Sequence, residues 1–224
     1  MKHNDLTIYL SIYCPENNQA MAYSYSICDG NGIEIFENTG YFPASKSNSL
    51  ITCFDYAVND LEFDLILHSS CNGNEINSLV IATNYPALPH IMSGNIYIDS
   101  NLLNIESFKN CIKGLEGDFC NVQYIASPTD QSVTDRFYKA ISLVIRNSKH
   151  KSFYDYSLGE FQIMAKADKE AFKQMIILEN WNKIRVGKDT ETKNKINFVQ
   201  GIMAPQKKMN IQATLNFLDS FNKN

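Results

Sequence analysis

Four acidic residues, Asp29, Glu75, Asp99 and Asp135, stand at turns or near expected helix starts, where a carboxylate already has a structural use. Asp29 opens an Asp-Gly turn, which tolerates positive φ at little cost. Glu75 falls in the first turn of an expected helix, where the helix dipole favours an anion. Asp99, in Ile98-Asp99-Ser100, reads as an N-cap. Asp135 reads as a surface residue of an expected helix, and Asp130 stands in the loop before it. His68 lies in an apolar run and reads as a core histidine. The six cysteines, at 14, 28, 53, 71, 111 and 120, form no C-x-x-C pair and have no histidine at ligand spacing. They read as reduced, buried thiols rather than a metal site. No Ser-His-Asp arrangement, P-loop or GxGxxG stretch is present, so no standard nucleotide cradle or acyl-transfer triad carries this chain.

The elements that must position these residues follow from periodicity. Residues 6–14 (LTIYLSIYC) are β-branched and aromatic and read as a buried strand. Residues 21–28 (MAYSYSIC) alternate with period two. Asp29-Gly30-Asn31-Gly32 predicts a hairpin, and 33–41 is the return strand. Residues 49–61 carry Leu50, Phe54, Ala57, Val58 and Leu61 at helical spacing. The run 63–69 (FDLILHS) is continuously apolar and predicts a strand covered on both faces. Helices are expected over 75–84 and 101–115, a strand over 121–126 and a helix over 131–146. The order β-β-β-α-β-α-α-β-α predicts an α/β fold: a mixed sheet of five strands, three antiparallel and then α/β alternation, flanked by helices.

Beyond that point the pattern changes. A helix is expected over 158–182, a polar loop over 183–195 and a short amphipathic helix over 209–221. These elements carry apolar stripes, Phe161, Met164, Phe172, Met175, Ile176 and Trp181 on the first and Ile211, Leu215 and Leu218 on the last. Such a face must be covered by the domain or by a partner, so these residues are the candidate partner-binding set. The expected division is a domain over 1–148 and a basic, mainly helical C-terminal extension over 149–224.

Composition supports a globular chain, with 44% hydrophobic and 20% charged residues among 224. No run of 18 apolar residues exists, and the first apolar run is too short for a signal peptide. Membrane insertion is not expected, and a cytoplasmic location is. Residues 1–145 hold 6 Lys/Arg against 16 Asp/Glu, whereas 146–224 hold 14 against 8. The acidic front disfavours phosphate backbones. The basic tail leaves nucleic-acid binding open, although it could equally face the acidic domain or an acidic partner. Lys207-Lys208 reads as a solvated pair.

The element order, with MAYSYSI, IEIFENTGYFPASKSNSL, FDLILHSS and VQYIASPTDQSVTDRFYKA, resembles the ribonuclease H-like superfamily over residues 6–146. The resemblance implies nucleic-acid cleavage by four carboxylates holding two Mg²⁺, since two close cations need several anionic oxygens. Carried onto this chain, those positions fall at Tyr13, Ile51, Ser70 and Asp135. Only Asp135 is acidic, so the resemblance implies a degenerate site, with no metal and no cofactor. A rival placement uses Asp29, Glu75, Asp99 and Asp135, which restores four carboxylates and a Mg²⁺-dependent nuclease. It requires a long insertion before Glu75 and leaves 6–14 and 49–61 unexplained. Three functions are therefore expected in order: a non-catalytic adaptor subunit of a larger intracellular assembly, such as a bacterial secretion or mobile-element complex; a Mg²⁺-dependent nuclease; and a nucleic-acid binder acting through its basic tail.

Overall fold

The computed structural model describes residues 4–15, 20–72, 76–96, 102–115, 121–147, 156–178 and 189–204. Strands β1 (Asn4–Tyr13), β2 (Met21–Asp29) and β3 (Glu34–Phe42) form an antiparallel meander. The β2–β3 turn is held by Asp29, whose Oδ1 accepts from the backbone N–H groups of Asn31 and Ile33, each at 2.9 Å. Gly32 takes φ +77° there, a conformation that glycine adopts without strain. Asp29 is thus a turn residue.

Helix α1 (Leu50–Asn72) crosses back over the sheet. It runs about three turns past the expected end at 61 and absorbs 63–69, the segment read as a strand. The reason lies in its spacing: Leu61 and Leu65 continue the buried stripe of Phe54 and Val58, while Phe63, Ile66 and Leu67 face outward. A continuous apolar run does not distinguish these cases by periodicity alone. The fourth strand comes next, β4 (Ile76–Thr83), where a helix was expected. Its Val80, Ile81 and Thr83 are β-branched, a shape suited to a central strand. β4 lies parallel to β1, and β5 (Asn121–Ala126) lies parallel to β4. The sheet order is β3-β2-β1-β4-β5. Between β4 and β5 run a short helix α2 (Leu88–Met92) and α3 (Leu103–Leu115). Helix α4 (Gln131–Asn147) follows β5.

The two faces of the sheet are built differently. On one, Leu6, Ile8, Leu10, Ile12, Tyr23, Tyr25, Leu79 and Ile81 pack against α1 and α3. Tyr23 lies so close to β3 that a Cβ on Gly40 would stand 2.2 Å from its ring, so only glycine fits there. Asp55 of α1 is buried and accepts from Ile105 N and Asn104 Nδ2, both at 3.0 Å, which ties α3 to α1. Burial pushes its carboxyl above the usual range, against the pull of those bonds. On the other face the inward residues are small: Ala20 and Ala22 meet Ala140 and Val144 of α4. Ser11, Ser24 and Ser26 complete it, since alternate residues of a strand face opposite ways.

Helices α5 (Leu158–Ala167), α6 (Lys169–Leu178) and α7 (Thr190–Met203) cover the outside of α4. The single helix expected over 158–182 breaks at Asp168, which closes α5 and accepts from Ala171 N at 2.9 Å to open α6. Ser142 Oγ and Arg146 Nε of α4 also donate to this carboxylate, each at 2.8 Å. The loop expected over 183–195 is corrected over 190–195, whereas 183–188 lie outside the described residues. Asp189 caps α7 by accepting from Thr192 N at 2.8 Å, and Thr192, Lys195, Ile196 and Val199 are buried. The expected helix over 209–221 lies outside the described residues.

Candidate functional site

In the resemblance, chemistry belongs where the ends of the two central parallel strands meet the starts of the first and last helices. The local structure there is specific. β1 and β4 run side by side, with Leu10 opposite Thr83. One residue past Thr83, the Asn84 amide reaches across to β1. Its Oδ1 accepts from Ile12 N and its Nδ2 donates to Ile12 O, both at 2.9 Å. Ser11, fully buried on the opposite face, donates to Val133 O of α4 at 2.6 Å. Cys53 of α1, also fully buried, places Sγ 3.2 Å from Ala22 O. Burial pushes its thiol up to about 12, so it stays protonated at neutral pH.

The residues anticipated from sequence fall as follows. Tyr13 ends β1 and packs edge-on against Phe137 of α4, with ring centroids 5.7 Å apart. Burial raises its phenol, aided by the charge of Glu160. Ile51 is half-buried and packs against the main core. Ser70 is corrected: it lies in the last turns of α1, not at a strand end, because the fourth strand begins only at Ile76. The position at the end of β4 belongs to Thr83 and Asn84. Asp135 is exposed on α4 and accepts from Gln131 Nε2 at 2.6 Å. Asp130 caps α4, accepting from Ser132 N at 2.9 Å and Val133 N at 3.2 Å. Glu75 and Asp99 lie outside the described residues, as do Trp181, Ile211, Leu215 and Leu218.

Sequence reading missed Ser11, Cys53 and Asn84. A signal for Asn84 was present: Val80-Ile81-Ala82-Thr83 followed by Asn-Tyr-Pro is a strand and its turn. The described side chains do not fit a pair of divalent cations. Hydroxyl, thiol and amide groups stand around the strand ends, each bonded to backbone, and the nearby acid Asp135 faces outward. Among the described residues no three His, Cys, Asp or Glu come together in a way that could hold a metal ion.

The five apolar residues Phe161, Met164, Phe172, Met175 and Ile176 are corrected as partner-binding candidates. All are at most 2% exposed, packed with Ile141 and Ile145 of α4 and with Ile196 and Val199 of α7. The chain covers this stripe itself. No helix among the described residues is long and apolar enough to cross a membrane.

Strand order, strand directions and helices on both faces define a ribonuclease H-like α/β fold. The chain is similar, at low identity, to several solved structures. The N-terminal ribonuclease H domain of a Mycobacterium tuberculosis protein is 10% identical, covering 55% of this chain and 87% of its own, with a TM-score of 0.43. LC11 ribonuclease H1, solved with an RNA/DNA hybrid, is 14% identical over 61% of this chain and 96% of its own, at 0.42. Ribonuclease H1 of Halobacterium salinarum is 9% identical over 61% and 93%, at 0.39. No protein-family model matches the chain, and no curated protein sequence does either.

Proposed function

We propose that this chain is a non-catalytic ribonuclease H-like protein that acts by binding, as an adaptor subunit of a larger assembly. The observation that carries this is the Asn84–Ile12 clamp. A neutral amide, satisfied twice by backbone, stands at the end of the central strand where a two-metal nuclease needs an anionic oxygen. Ser11 and Cys53 support the same reading, because each is neutral and directed at a carbonyl. The setting that goes with it is cytoplasmic, in a complex such as a bacterial secretion or mobile-element machine.

Binding of nucleic acid through the basic tail is the weaker alternative. Several of its cations are engaged within the protein: Arg146 with Asp168, Lys173 with Glu170, Lys195 with Tyr156 O, and Lys166 over the Tyr138 ring. The decisive experiment incubates the purified protein with labelled RNA–DNA hybrid and Mg²⁺. No cleavage above background is the expected result. Cleavage that disappears in Asp99→Asn or Asp135→Asn would establish the nuclease and end the adaptor reading. Light scattering and pull-down then ask for a stable protein partner. Retention of the hybrid in low salt, weakening steeply as salt rises, would instead favour the tail as a nucleic-acid site.

A further inference from the structure

The outer face of α1 carries several exposed apolar side chains. Phe63 is 62% exposed and Ile66 49%, with Leu67 and Tyr56 also exposed along the same helix. An apolar cluster of this kind on a soluble fold marks an interaction surface more often than single exposed side chains do. Phe63 and Ile66 line an open groove of about 530 Å³ together with Asp60, Glu62, Asp64 and Asn38. None of the groove's lining residues is basic, and α1 itself contains neither Lys nor Arg. The three carboxylates are held in place by neutral donors. Tyr23 Oη donates to Asp60, Tyr25 Oη and Asn38 Nδ2 donate to Asp64, and Ser107 Oγ donates to Glu62 at 3.0 Å. The groove's lining therefore sets three carboxylates and no basic side chain beside the apolar Phe63 and Ile66.

We propose that this groove docks an amphipathic helix of a partner protein, with apolar residues on one face and Lys or Arg at its margins. The proposal rests on the adaptor reading and names its docking surface. Charge complementarity selects the partner: cations would meet Asp60, Glu62 and Asp64, and the apolar face would cover Phe63 and Ile66. The spacing of the exposed side chains on α1, three and four residues apart, suits helix-on-helix packing.

The test uses the full chain and a labelled helical peptide of leucine and lysine, with its leucine–glutamate counterpart as control. Fluorescence anisotropy should show salt-sensitive binding of the lysine peptide and none of the glutamate peptide. Phe63→Ala/Ile66→Ala, which alters only exposed side chains, should weaken binding about tenfold with the circular dichroism spectrum unchanged. Unaltered affinity in that variant, or no binding by the wild type, would overturn the proposal. Concentration-dependent dimerisation abolished by the same variant would also overturn it, assigning the face to a second copy. The outcomes separate cleanly from the hybrid assay. Cleavage without loss of peptide binding sinks the adaptor reading alone, and absent binding without cleavage sinks the groove alone.

Discussion

The α1 face of the sheet and the α4 face reach the same degree of burial by opposite means. The first stacks large side chains, Tyr23, Tyr25, Phe54 and Phe108 among them, into one apolar layer. The second uses alanines and serines, so that α4 lies close enough for Ser11 Oγ to reach its Val133 carbonyl. A helix held that near has little apolar surface to bury inward. Its outer side supplies Ile141 and Ile145 to a second core built with α5, α6 and α7. The difference teaches that the outer side of α4 is covered by α5, α6 and α7.

The strongest way to break this comparison is to remove a side chain from the second core. Phe172 is fully buried, between Phe161 and Phe198. Phe172→Ala should cost about 3–5 kcal/mol, as a buried phenylalanine does. Phe108→Ala in the first core should cost a similar amount, and in both variants urea unfolding should remain one transition because α4 packs on the sheet through Ala140 and Val144 and on the tail through Ile141 and Ile145. A loss of under about 1 kcal/mol for Phe172→Ala, or two separate transitions, would show that the tail is an independent appendage.

A smaller effect is expected at the strand ends. Asn84→Ala strands both Ile12 N–H and C=O, at a cost of about 1–3 kcal/mol for groups buried without a partner. Hydrogen exchange at Ile12 should quicken in this variant, and an unchanged rate would remove the clamp from the account.

Asp168 sharpens the comparison at the seam between α4 and the tail. Asp168→Ala should cost about 1–2 kcal/mol, since the side chain is the cap of α6 and also receives Ser142 and Arg146. Its folded pKa is lowered: burial raises it, and the bonds from Ala171, Arg146 and Ser142 outweigh that. A carboxyl lowered on folding stabilises above the unfolded value of about 4. That contribution is lost as pH falls through the folded value. The variant should therefore lose part of the wild type's acid sensitivity in thermal melts.

The least effect belongs to Glu37 on β3, which bonds Lys139 and Arg136 of α4. The hydrogen bond from Lys139 and the Arg136 guanidinium hold its carboxyl below the usual range against a desolvation that raises it. Glu37→Gln should cost under about 1 kcal/mol, fading at high salt, because the pair is partly exposed.

Much of the fold was legible because the decisive patterns were local. The alternation of 21–28 and the Asp29-Gly30 turn declare a hairpin without help from the rest of the chain. The N-cap aspartates Asp168 and Asp189 are equally local signals, and they set the breaks that periodicity alone does not show in the tail helices. The site was less legible, and for a different reason. Placing the fourth strand at 63–69 moved its end to Ser70 and hid Asn84, whose role depends on a partner 72 residues away.

By itself, then, the sequence determined the class of fold, the meander, the acidic front and the basic tail. All of these follow from side-chain periodicity and charge along a few neighbouring residues. Tertiary structure alone decided that 63–67 would continue a helix, because Leu61 and Leu65 found a sheet to cover while Phe63 and Ile66 did not. It also decided that the tail's apolar stripe would close on α4, since burial against a neighbour lowers free energy only where the fold has brought that neighbour near.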